Sequence, residues 1–318
     1  MKKLLVVSVL VLALACSLFA NGAQETKESK YTIGVFTKDG TTAFWRYCVQ
    51  GAKAAGEELG VTIKEYAPAS YTDSAGQVAM IEDALQSGVD AICVAACDST
   101  AILPALEKAY EQGVVVIPFN TRVPAFTHAA TFVGVDNVEA SRAVVQKYLE
   151  DVNYVANMAV VEGDPSGQQN IDRTQCLYEF AEQYDTFKLV AIQPGYANRE
   201  KSMNVMENML QSGVDFDVVW AINDVSGIGA AQAIAASGKE IPVICIDGTP
   251  EGAVACLDGR LKYTIDQSPI EQGGIAVKCA VKALNGETLD EFYPTGGTIV
   301  SKDNAEEFLK TYYPDYKY

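Results

Sequence analysis

Five apolar, strand-like runs in this 318-residue chain end in side chains that hydrogen-bond. Thr37-Lys38-Asp39 follows residues 33–36, Asn120 follows 114–119, Asn223-Asp224 follows 218–222, Asp247 follows 243–246, and Gln267 follows 263–265. Turns favour Asn and Asp for their own reasons, which accounts for about half of these positions. Turn chemistry does not account for the aromatic pair Phe44-Trp45, which stands in the loop after the first of these runs, at the start of a helix. A flat ring beside several convergent donors and acceptors suits a sugar-like solute, whose C–H face packs on the ring while its hydroxyls are bonded together. The chemistry is recognition, not bond making.

Catalytic patterns are missing. Ser226-Gly227-Ile228-Gly229-Ala230-Ala231-Gln232 begins like a dinucleotide loop but has Gln232 where the third glycine belongs, so close helix packing explains its glycines better. There is no Walker phosphate loop, no Gly-x-Ser-x-Gly elbow and no His-Glu-x-x-His helix. Glu162, Asp164 and Asp172 could pair as carboxylates, yet solvated acids are ordinary in a chain with 41 Asp and Glu. His128 is the only histidine and no Cys-x-x-Cys pair occurs, so a zinc site has few ligands to draw on. Neither an enzyme, a metal nor a cofactor is expected. Against those 41 acids stand 24 Lys and Arg, a net charge of −17. That field repels nucleic acid and makes neutral or cationic small molecules the easier ligands.

The elements that must position these residues alternate. Residues 31–36, 61–66, 91–95 and 114–119 read as strands, and 44–59, 76–87 and 101–112 carry helical periodicity. Such alternation predicts an α/β fold with parallel, doubly wound sheets. The hexapeptide Leu85-Gln86-Ser87-Gly88-Val89-Asp90 recurs letter for letter as Leu210-Gln211-Ser212-Gly213-Val214-Asp215. Each copy ends a helix, with Gly at the stop, and enters an apolar strand with an Asp just beyond, Asp98 or Asp224. Two similar Rossmann-like lobes follow, with ligand expected in the cleft outside the carboxyl ends of the strands.

Residues 1–23 read as an export signal: Lys2-Lys3, then an uncharged apolar stretch, then small residues at Ala20, Gly22 and Ala23. Ala13-Leu14-Ala15-Cys16 offers a competing lipobox, which would attach a lipid at Cys16. Residues 24–30 form a polar linker. The other seven cysteines are scattered, and buried packing rather than a disulfide framework is expected of them.

At Asn204-Val205-Met206-Glu207-Asn208-Met209-Leu210, Ala221-Ile222-Asn223-Asp224 and Ile246-Asp247-Gly248-Thr249-Pro250-Glu251-Gly252, the chain resembles a known family. It is similar to the type I periplasmic binding proteins of bacterial ABC sugar transporters, most like the ribose-binding group, from about Tyr31 onward. The resemblance implies two lobes, 31–134 with 267–296 and 135–266 with 297–318. Three crossing strands would form a hinge near Gly134-Val135, Asp266-Gln267 and Gly296-Gly297, on which the lobes close. It also implies a ligand shell of Phe44, Trp45, Lys38, Asn120, Arg122, Arg173, Tyr196, Asn223, Asp247 and Gln267, to which the strand-end reading adds Asp39.

Here the chain departs from the ribose pattern. Asn120 and Thr121 replace an aspartate and an arginine, with Arg122 one step on; Lys38 replaces a small hydroxyl residue; Ala197 stands where a third aromatic is usual, so that either Tyr196 beside it substitutes or the third platform is absent. The expected function is capture of a small neutral sugar or polyol by a monomeric periplasmic protein, for delivery to an ABC permease. The alternative is a furanose or polyol receptor that feeds a chemoreceptor. Repressors that share this core need a basic helix-turn-helix where this chain has its apolar segment.

Overall fold

The computed structural model describes residues 30–318. The expected signal at 1–23, the Cys16 alternative and linker residues 24–29 lie outside the described residues. The chain opens β1 (Thr32–Phe36), α1 (Ala43–Leu59), β2 (Thr62–Tyr66), α2 (Ser74–Gln86), β3 (Ala91–Val94), α3 (Leu103–Glu111) and β4 (Val115–Pro118). These strands form a parallel sheet in the order β2-β1-β3-β4. Then come β5 (Phe132–Gly134), α4 (Asn137–Asp151), β6 (Ala156–Glu162), α5 (Gln168–Gln183), β7 (Phe187–Pro194), α6 (Arg199–Gln211), β8 (Val218–Ala221), α7 (Asp224–Ala236), β9 (Val243–Asp247), α8 (Pro250–Leu257) and β10 (Tyr263–Asp266). The chain ends in α9 (Pro269–Leu284), β11 (Phe292–Pro294), β12 (Ile299–Val300) and α10 (Ala305–Tyr312).

The second sheet runs β7-β6-β8-β9-β10, parallel throughout, with β12 added antiparallel at its edge. It repeats the first sheet's order: the strand that opens each set lies second, and the chain reverses direction across the sheet there. The repeated hexapeptide occupies equivalent places. Gly88 (φ 74°) follows α2 before β3, and Gly213 (φ 79°) follows α6 before β8. A left-handed residue ends a helix at little cost only when it lacks a Cβ.

Strands β3, β8, β9 and β10 are buried along their whole length, as expected where helices cover both faces of a parallel sheet. Helix α1 buries Phe44, Trp45, Cys48, Ala52 and Ala55 along one stripe. It crosses α9 at backbone contact: a Cβ added at Gly51 would lie 1.8 Å from the Ile270 carbonyl oxygen, and one at Gly273 would lie 1.8 Å from that of Cys48.

The chain passes between the sheets three times, after β5, after β10 and between β11 and β12. These passages are tied side by side. Thr295 N–H donates to the Gly134 carbonyl at 3.0 Å, Gly297 N–H to that of Asp266 at 2.8 Å, and the Thr295 hydroxyl to that of Gln267 at 3.0 Å.

The seven cysteines among the described residues are free thiols, Cys97 half-buried and the others buried. Burial pushes the Cys97 thiol up to about 12 and those of Cys176 and Cys279 up to about 11. Among the described residues, no helix is long and apolar enough to cross a membrane.

Candidate functional site

The carboxyl ends of both sheets meet around one cavity, lined by Thr42, Phe44, Trp45, Tyr71, Asn120, Gln169, Asn223, Asp247 and Gln267. Its volume is about 10 Å3, room for roughly one water molecule. The arrangement is closed, and Asn120, Gln169, Asp247 and Gln267 bond to one another in a chain.

The aromatic wall comes from the first sheet. Phe44 and Trp45 sit edge to face, centroids 4.9 Å apart, and Trp45 lies 6.2 Å from the Tyr71 ring and 6.3 Å from Phe119. The loop that presents the pair is held by Asp39. One carboxylate oxygen accepts from the N–H groups of Thr41 and Thr42, both at 2.7 Å, and the other from the Thr42 hydroxyl at 2.6 Å. Asp39 therefore shapes the site without lining it, because its acceptor capacity is spent on the turn before α1.

The hydrogen-bonding groups come from strand ends and from α5. Asn120, in the left-handed region at φ 61°, donates to the Gln267 side-chain oxygen at 3.2 Å and accepts from Gln169 at 2.8 Å. The Gln267 amide donates to Asp247 at 2.6 Å. Asn223 caps α7 by accepting from Ser226 N–H at 3.0 Å, and its side chain also faces the cavity.

Burial, then the neighbouring Asp224 charge, pushes the Asp247 carboxyl well above the usual range, and Arg173 opposes them. Asp224 lies behind, its oxygens taken by Thr249, Thr264 and Cys245. Arg173 donates to Asn137 and to the Ile222 carbonyl, both at 2.8 Å, and lies 3.8 Å from Asp247. Its Nη2 is buried and has no partner.

Lys38 is 2% exposed. Its ammonium donates to the Gln169 side-chain oxygen at 3.2 Å and sits 4.8 Å above the Tyr71 ring. Burial above all, with Arg173 adding to it and Cys97 and Asp164 opposing, lowers it to about 7.

Besides Asp39, two expected residues do not join. The Arg122 guanidinium lies 4.1 Å from the centroid of Phe132 and 5.0 Å from that of Phe292, on an outer cavity that also includes Pro118 and Phe126. The rings hold it there by cation–π attraction. Tyr196 is 36% exposed, with Lys201 over its ring at 5.0 Å. The third ring at the cavity is Tyr71, which sequence reasoning missed because it stands in the loop between β2 and α2. Gln169 was missed too, although a signal existed: it precedes Arg173 by four residues and so shares its helix face. Gln169 bridges the two sheets, accepting from Lys38 and from the Tyr71 hydroxyl at 2.8 Å and donating to Asn120.

A model of the periplasmic binding protein domain matches residues 33–288. A ribose import binding protein of Bacillus subtilis is 30% identical, over 89% of this chain and 92% of its own. An ABC transporter solute binding protein of Bacillus halodurans, solved with bound myo-inositol, is 28% identical with a TM-score of 0.81, over 89% of this chain and 99% of its own. A protein of Mycobacterium smegmatis, solved with β-D-fucofuranose, is 27% identical with a TM-score of 0.82, over 88% and 94%.

Proposed function

The chain belongs to the periplasmic binding protein family, in its ribose-binding-like group, and from that premise we propose that it captures a monosaccharide or related polyhydroxy compound between its two halves and delivers it to the permease of an ABC importer. It is a solute-binding protein and not an enzyme. The observation that carries the reading is the cavity itself, where rings from one half face amides and a carboxylate from both. A pyranose or furanose ring stacks on Trp45 or Phe44, while its hydroxyls replace the bonds that Asn120, Gln169, Asp247 and Gln267 now make among themselves.

The closed site must open to admit such a ligand. We assign the lobes as 31–134 with 267–296 and 135–266 with 297–318, hinged at the three tied passages, with ligand favouring closure by touching both lobes. A micromolar affinity, roughly −8 kcal/mol, is within reach of the few groups present. In this reading the protein acts as a monomer in the periplasm after export. The lipobox at Cys16 is tested by the mass of the mature N-terminus. Polyols and furanoses belong among the candidate ligands because relatives were solved with them. Delivery to a chemoreceptor would use the same closed form.

The test is thermal unfolding of protein stripped of ligand by unfolding and refolding, against pentoses, hexoses, inositols, polyols and furanoses. A ligand at 100 times its Kd adds about 2.7 kcal/mol, a shift of several degrees. Selective stabilisation by one of them supports the reading. A flat response across the whole panel, extended to the corresponding sugar acids, sinks it.

A further inference from the structure

Two cations lie just behind the cavity lining, Lys38 against Gln169 and Tyr71 and Arg173 beside Asp247, and neither is fully matched. Arg173 has a carboxylate only at 3.8 Å and one buried nitrogen with no acceptor. Lys38 has three donor directions and makes one hydrogen bond, to a neutral amide; among the described residues it enters no ion pair. The carboxylates around it do not serve it: Asp164 acts on it without forming an ion pair, and the adjacent, buried Asp39 is spent on Thr41 and Thr42. Asp224 already accepts from Thr249, Thr264 and Cys245, and Asp247 is engaged by Gln267. A buried ammonium without a counter-ion is costly, and its charge-assisted partner is worth correspondingly more.

We propose that the ligand is a polyhydroxylated compound bearing one carboxylate, a sugar acid, whose carboxylate meets Lys38 where Gln169 and Tyr71 now touch it. The proposal rests on the sugar-binding reading and adds the ligand's charge. A phosphomonoester fits less well, since it brings nearly two negative charges into a site that keeps Asp247 and Asp224. The chain's net charge of −17 favours a neutral ligand only at long range, because exposed charges are screened beyond about 10 Å while a contact inside the closed site is not. The groups that act on Lys38 agree with this. Its burial and Arg173 disfavour the ammonium, and Cys97 and Asp164 support it only in part, so an anion would restore its charge.

Calorimetric titration of the ligand-stripped protein with matched pairs decides the matter: D-galactose against D-galacturonate, D-ribose against D-ribonate, D-glucose against D-gluconate. The expected result is at least one acid bound tenfold or more tighter than its neutral partner, with proton uptake at pH 8 read from buffers of different ionisation enthalpy. In Lys38→Met the ratio should collapse toward one. Should that variant not fold, the wild-type ratio and proton uptake decide alone. Tight binding of a neutral sugar, with its acid equal or weaker, overturns the inference and leaves the sugar reading standing. If neither these compounds nor the wider neutral panel bind, the sugar reading itself falls and takes this inference with it.

Discussion

The two halves share strand order and even a hexapeptide, yet they bring different chemistry to the cleft. The half built on β2-β1-β3-β4 supplies rings: Phe44, Trp45 and Tyr71, the first two continuous with the hydrophobic core beneath. The half built on β7-β6-β8-β9-β10 supplies Gln169, Arg173, Asn223 and Asp247. The repeat places the strand ends, and the residues just beyond each end decide what is recognised there. A ring held by its core can be rigid without hydrogen bonds, whereas a buried polar group is fixed only by partners. One half is therefore tied together by packing and the other by a network.

Breaking the packing should have the largest effect. Gly273→Val puts its Cβ against the Cys48 backbone, and a loss on the order of 4 kcal/mol or more is expected in urea unfolding. Wild-type stability would mean that α1 and α9 do not cross at this distance.

Breaking the network should spare the fold and cost binding. Asp247→Ala is expected to weaken ligand affinity about 100-fold. The variant should still fold, because the cost of burying the carboxylate beside Asp224 offsets part of what is lost when Gln267 and Arg173 lose it as a partner. Unchanged affinity would remove Asp247 from the site.

Lys38 sharpens the comparison, as a charge set among the rings of the first half. Its folded value of about 7 lies below its ordinary 10.5, so the unfolded chain holds more protons between these pH values and stability from this group rises with pH across that window. Lys38→Met should gain most at pH 7 and below, by a few kcal/mol, and lose that advantage as pH approaches 10.5. Denaturant titrations at pH 6, 8 and 10 would show it, and a difference independent of pH would contradict it. The smallest effects belong to residues outside the cavity. Arg122→Ala should cost about 1 kcal/mol of stability and Tyr196→Ala under about 0.5, each within twofold in affinity by calorimetry.

Much of the fold was legible because buried parallel strands are apolar runs and glycines stop the helices between them, as at Gly60, Gly88 and Gly213. Asn120, Asn223, Asp247 and Gln267 were legible as strand ends, since in this architecture a strand's carboxyl end is also the cleft. Side-chain direction was not. Arg122 is drawn outward by Phe292, 170 positions later in the chain, and no local pattern announces that contact. Asp39 and Asp247 are the same residue type at similar places, but a run of N–H donors claims the first and leaves the second to the cavity. Tyr71 lies on an irregular loop, where periodicity gives no face.

The thiols give this molecule a clock of its own. A cysteine reacts as the thiolate and needs access to reagent, and burial withholds both from six of the seven described here. Modification of those six by a thiol reagent then waits for the surrounding structure to open, so its rate counts opening events. A ligand that holds the two halves together should slow the count without touching a single sulfur.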